Sequence, residues 1–311
     1  VLGADLATDG ADIFLRSPVS LFADELTIQT DRKEKDRFGD IVVQSTLDGP
    51  GALSLRVGAG DIDLQGAVGG IEPLTRLTAQ GAGNLALSAV TTVGSQVYKS
   101  EEQAVLDFQE ILLGGDLTTS GGEITLGSPS SEDGRVLLER AVTLDTTSAG
   151  AEPNGSNIIL AYPVTSAPGA ASTGLTVNAG QAPLGMRGVL TTGPQHFTGT
   201  IIPRGRHATN AAPITFDGIV LLDEDFYGET TANDASGGDI VFKEGVSSVI
   251  REGSRPKNFV IDAGTGEITF GGAVGKSIVI FFGNAGPIGD LDLTASRLNG
   301  GAGEASITLA G

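Results

Sequence analysis

The 311-residue sequence contains no cysteine and no tryptophan, one methionine and three tyrosines. Without cysteine there is no disulfide framework and no thiolate metal centre. Basic residues are few: 19 Lys and Arg stand against 38 Asp and Glu, a formal charge of −19. A field of that sign repels phosphate, so neither nucleic acid nor an anionic membrane surface is an expected partner. Apolar runs are short, and none approaches the ~18 residues a membrane-spanning helix needs, so no membrane insertion is expected. The opening "VLGADLATDG" has neither Met nor a basic segment leading into an apolar one, so it does not read as a signal peptide. It reads instead as the middle of a longer pattern. Histidine is nearly absent too, with only His196 and His207. Two histidines and no cysteine do not make a zinc site, and His196, beside Phe197 in a strand-like run, reads as a packed residue rather than a catalytic base.

What is present is glycine, 47 residues of it, among short runs of Leu, Ile, Val and Ala. The recurring unit is G-[D/E]-I-x-[L/V/F]. It appears as "GDIVV" (39–43), "GDIDL" (60–64), "GEITL" (122–126), "GDIVF" (238–242) and "GEITF" (266–270). Strict alternation sends Ile62 and Leu64 to one face and Asp61, Asp63 and Gln65 to the other, which is strand periodicity. Longer phrases also return. "GDIDLQGAVGG" (60–70) reappears as "GEITFGGAVGK" (266–276), and "VTTVGSQVY" (90–98) resembles "LTTGPQHF" (190–197). Repetition with drifting spacing is the signature of a repeat architecture with insertions in its loops.

Neighbouring units begin roughly 20–30 residues apart, one coil of a β-solenoid with two or three short strands. The expected fold is therefore all-β, a parallel β-helix with irregular loop insertions; tandem β-sandwiches are the alternative. Sparse aromatics suit a narrow interior of branched aliphatics, and corner glycines suit bends that need positive φ. Ile62, Leu64, Val68, Ile268, Phe270 and Val274 are the expected core. "EEQAVLDFQEIL" (101–112) reads as strand, with a short helix as the other possibility. A soft boundary near 165–185 divides two segments of one stack, 1–170 and 171–311. No capping segment is recognisable, so association through the terminal coils, around Asp5–Leu15 and Leu291–Leu309, is expected. The chain's partners would then be copies of itself or further repeats.

The phrases "GDIDLQGAVGG…PLTRLTAQGAGNLALSAVTTVGSQVY" and "NFVIDAGTGEITFGGAVG" resemble the strand repeats of the filamentous-haemagglutinin-like bacterial surface exoproteins. The resemblance is strongest over 39–100 and 174–311, while 100–170 departs from the pattern. It implies a right-handed parallel β-helix, secreted or held at the cell surface, acting as a non-catalytic stalk, fibre or adhesin that contacts surface glycans or neighbouring cells.

Two other functions have a footing in the residues. The acidic residue before each core Ile (Asp40, Asp61, Glu123, Asp239 and Glu267) is a candidate Ca²⁺ ligand if these positions align on one edge, because stacked carboxylates repel and a hard cation relieves that. A solvated turn position is the plainer reading. The run "LLDEDFYGE" (221–229) supplies the paired acids a polysaccharide-cleaving enzyme uses. However, Tyr98, Tyr162 and Tyr227 are the only tyrosines available as sugar platforms.

Overall fold

The computed structural model describes residues 1–31, 39–99, 108–129, 133–232, 236–249 and 257–274, and the backbone of strands Ile278–Phe282, Leu291–Asp292 and Ile307–Thr308. Every regular element among them is a strand. One coil runs Ile62–Leu64, a bridge at Val68, then Arg76–Gln80; the next runs Asn84–Leu87, Val90–Thr92, Gln96–Tyr98. These three positions define three faces. Strands of the first face stack in sequence order into a 13-stranded sheet. The second and third faces merge into an 18-stranded sheet, because the long strands Leu175–Met186 and Gln195–Pro203 run from one face onto the next. Every ladder between named strands is parallel. That excludes antiparallel sandwiches and makes the fold a parallel β-helix.

Coil length varies without breaking the register. Ile41 pairs with Ile62, 21 positions on; Val189 with His207, 18 on; Gly228 with Ile261, 33 on. The surplus sits in corner loops, where added length costs little. Pairing continues through residues 165–185: Val142–Asp145 pairs with Leu175–Asn178, and Val164 with Val189. Segment 101–112 falls largely outside the described residues, and its end lies in the strand Glu110–Leu113. The basic run at 30–39 likewise lies mostly outside them.

Inward positions form one continuous apolar column. Ile62, Leu64, Val68, Ile268 and Phe270 are buried, and Val274 is partly buried against them. The column changes character along the axis. Its first half is mainly Leu, Ile and Val, joined by Tyr98 and Phe108. Its second half is aromatic: Phe197, Phe216, Phe242 and Phe270 follow one another up the second face with centroids 5.4, 4.8 and 5.1 Å apart. Phe226 stacks on Phe259 at 5.2 Å on the first face. The interior is thus wide enough for benzene rings, and the low aromatic content reflects only how few coils use them.

The repeated phrases do not return to the same face. Ile62–Leu64 lies on the first face and Val68 on the second, whereas Ile268–Phe270 lies on the second and Val274 on the third. The same holds for "VTTVGSQVY", which turns from second face to third, and "LTTGPQHF", which turns from first to second. The repeating module is therefore strand–corner–strand, a fraction of a coil that fits different corners.

The glycine opening each G-[D/E]-I unit has a different reason from the one expected. Gly60 and Gly266 do not have positive φ. A Cβ on Gly60 would stand 2.2 Å from the Gly39 carbonyl oxygen, and one on Gly266 would stand 2.3 Å from the Gly238 oxygen. Stacked backbones approach too closely there for any side chain.

Candidate functional site

The five acidic positions fall in three columns rather than on one edge. Asp40 and Asp61 are neighbours on the first face, Asp239 and Glu267 on the second, and Glu123 precedes a strand of the third. The aspartates bond up the stack. Asp12 Oδ1 accepts the Asp40 N–H at 3.0 Å, Asp40 Oδ1 the Asp61 N–H at 2.8 Å, and Asp61 Oδ1 the Asn84 N–H at 2.6 Å. Asp239 Oδ1 takes the Glu267 N–H at 2.9 Å. The glutamates, one methylene longer, fold along their own strand instead. Glu123 Oε1 accepts from Thr125 Oγ1 at 2.7 Å and Glu267 Oε1 from Thr269 Oγ1 at 3.1 Å. Each carboxylate thus already satisfies a donor of the protein. Among the described residues, no group of three or more His, Asp or Glu side chains is close enough to hold a metal ion.

The acidic run at 221–229 is engaged in the same manner. Asp223 Oδ2 lies 2.5 Å from Arg204 Nη2, Asp225 Oδ1 accepts the Asn258 N–H at 3.0 Å, and Glu229 pairs with Arg206. Of the tyrosines, Tyr98 and Tyr162 are buried and only Tyr227 is exposed.

A polar clasp that the sequence reading did not single out recurs at the corners. The last inward residue of a strand is a buried Thr whose hydroxyl donates to the carbonyl two residues before the next inward side chain. Thr92 bonds Gly94 O at 2.6 Å before Gln96, Thr119 bonds Gly122 O at 2.5 Å before Ile124, and Thr191 bonds Gly193 O at 2.8 Å before Gln195. Thr30, Thr146 and Thr230 do the same across longer corners, to Gly39 at 2.6 Å, Ser156 at 3.0 Å and Gly238 at 2.7 Å. The signal was there as T…[G/S]-x-[I/Q], obscured by the variable gap.

Within two of these corners lies a buried glutamine. Gln96 Nε2 donates to Val90 O and Thr92 Oγ1, both at 3.3 Å, and to Thr118 O at 2.9 Å. Gln195 Nε2 repeats this with Val189 O at 3.0 Å, Thr191 Oγ1 at 3.1 Å and Ala208 O at 2.8 Å. The likeness between residues 90–98 and 190–197 is this shared network. One bond differs: Tyr98 OH donates to Gln96 Oε1 at 3.0 Å, whereas Phe197 stands at the matching position and Gln195 Oε1 has no partner. Burial raises the Tyr98 hydroxyl well above its ordinary pKa, so it remains a donor.

His196 is not the packed residue that its place beside Phe197 suggested. His196 is half-exposed on the outside of the second face, its Nε2 3.6 Å from Asp217 Oδ2, which also binds Lys243 Nζ at 2.6 Å. His207 is the packed one. It is fully buried, within 5.3–6.2 Å of the rings of Phe226, Phe197 and Phe216, with neither ring nitrogen in hydrogen-bond geometry. Burial lowers its pKa to about 3, and the Arg204 backbone opposes this only in part.

No family model, curated protein or solved structure matches the chain.

Proposed function

We propose that this chain is a non-catalytic structural segment of an extracellular or bacterial cell-surface protein of the filamentous-haemagglutinin-like kind, a stalk or fibre that spaces and presents contacts to neighbouring copies, surface glycans or cells. The observation that carries this reading is the uninterrupted parallel stack. Thirteen first-face strands, at about 4.8 Å per step, make a rod of roughly 58 Å. Its coils are tied to one another by carboxylates and glutamines, and each corner is closed by a threonine. Such a body resists bending and extends by adding coils, which suits reach more than turnover.

The test is adhesion measured beside catalysis. Beads coated with the chain should adhere to one another or to cells more than beads coated with an unrelated acidic protein. The soluble chain should release no reducing or unsaturated ends from a polysaccharide panel. Sugar release would replace the reading with the enzyme, and absence of any adhesion would remove the contact-making role.

A further inference from the structure

The outside of the third face carries a groove of about 270 Å³ across three adjacent coils. Its floor is set by register. Ile159, Gly185 and Ile202 are side-by-side outward positions of strands Ile158–Leu160, Leu175–Met186 and Gln195–Pro203. Two branched side chains thus flank a position with none. A Cβ built on Gly185 meets nothing within 4 Å, and its φ lies outside the positive region, so the notch is open space that the fold does not require. Pro183 closes the side at the strand entry.

At the strand exit the column reads Ala161, Arg187, Arg204, Asp223. These residues follow the paired Leu160, Met186 and Pro203 by one position, and Arg204 is carried on to Asp223 by the Ile201–Val220 pairing. Arg204 is neutralised, with Asp223 at 2.5 Å and Glu224 at 3.7 Å. Arg187 is not. It is half-buried, lines the groove, and makes no side-chain hydrogen bond or ion pair among the described residues. Its neighbours in the column are a methyl group and a like charge. In a chain of net charge −19, an unpaired guanidinium at the rim of an apolar notch lacks an anion, and a carboxylate is the planar acceptor it fits.

We infer that this groove binds a small apolar carboxylate, with the ring or branched chain seated over Gly185 between Ile159 and Ile202 and the carboxylate on Arg187. The apolar body supplies buried area, and Arg187 fixes orientation.

Phenylacetate is a direct probe and phenylacetamide its uncharged partner. Titration followed by amide chemical shifts should give one saturable site for the acid, at ~1 mM or tighter, with the amide at least ~10-fold weaker. Gly185→Leu fills the notch without backbone strain and should abolish binding. Arg187→Gln should bring the acid down to the affinity of the amide. Melting curves establish that both variants are folded. Absence of saturation by ~10 mM, equal affinity for acid and amide, or unchanged binding in either folded variant overturns the assignment.

Discussion

Tyr98 and Phe197 occupy the same place in two copies of one corner, and a single hydroxyl separates them. Tyr98→Phe leaves Gln96 Oε1 buried without its donor and should cost about 1 kcal/mol in urea unfolding; Phe197→Tyr supplies the missing donor to Gln195 and should recover a similar amount. If both substitutions shift stability in the same direction, the two glutamine corners are not equivalent. His207 gives a second single-residue test. Its folded pKa of about 3 lies below the ordinary unfolded value of about 6.5. Between those values the unfolded chain binds a proton that the folded chain refuses, so stability falls as pH falls, by about 1.4 kcal/mol per pH unit from this residue alone. The stability difference between wild type and His207→Phe should therefore move in the variant's favour from pH 6.5 down towards 4. A constant difference across that range contradicts the buried neutral imidazole. Neither site could be read from the sequence. Which histidine faces inward depends on a one-residue difference in strand register, and His207 enters the core through a coil only 18 residues long.

At the scale of the element, the strand–corner–strand module carries the sequence pattern. Its alternation is legible because the inward Ile and Leu recur at every second position. Which face a module occupies is not legible, because two corners accept the same backbone turn. The Thr clasp explains how corners of very different length serve the same turn: the hydroxyl closes the corner at its base and the insertion projects outside. Thr146→Val should cost about 1–2 kcal/mol by leaving buried partners unsatisfied. Inserting two glycines after the exposed Ala151, within the same corner, should cost less, since loop closure varies slowly with length. Chemical denaturation of the two variants compares them directly, and the reverse ranking would show that loop length, not the clasp, sets the stability of the corner.

For the whole molecule, the parallel stack was legible from the spacing of the G-[D/E]-I units and from the repeated phrases. The disposition of charge was not. The acidic residues share a motif yet occupy three columns, because the motif itself moves between faces, and the aspartates are engaged by backbone N–H groups of the coil above. Millimolar Ca²⁺ should therefore raise the melting temperature no more than NaCl of matched ionic strength, which relieves the −19 charge by screening alone. A clear excess for Ca²⁺, lost in Asp40→Asn with Asp61→Asn, would restore a cation to those positions.

The central claim is that the chain is one parallel stack in which modules of the same sequence lie on different faces. The absence of native cysteine makes disulfide trapping its most direct test, since every thiol is an introduced one. Asp63 with Ala86, Thr215 with Val241, and Ser54 with Thr78 are register partners on the first, second and third faces, and parallel neighbours about 4.8 Å apart fall within disulfide reach. Cysteine pairs at these three positions should each oxidise within the monomer, as should Val241 with Thr269 on the second face, whereas Val260 with Thr269, in the same coil but on different faces, should not. Failure of the four register pairs, or closure of the mixed pair, would contradict the account.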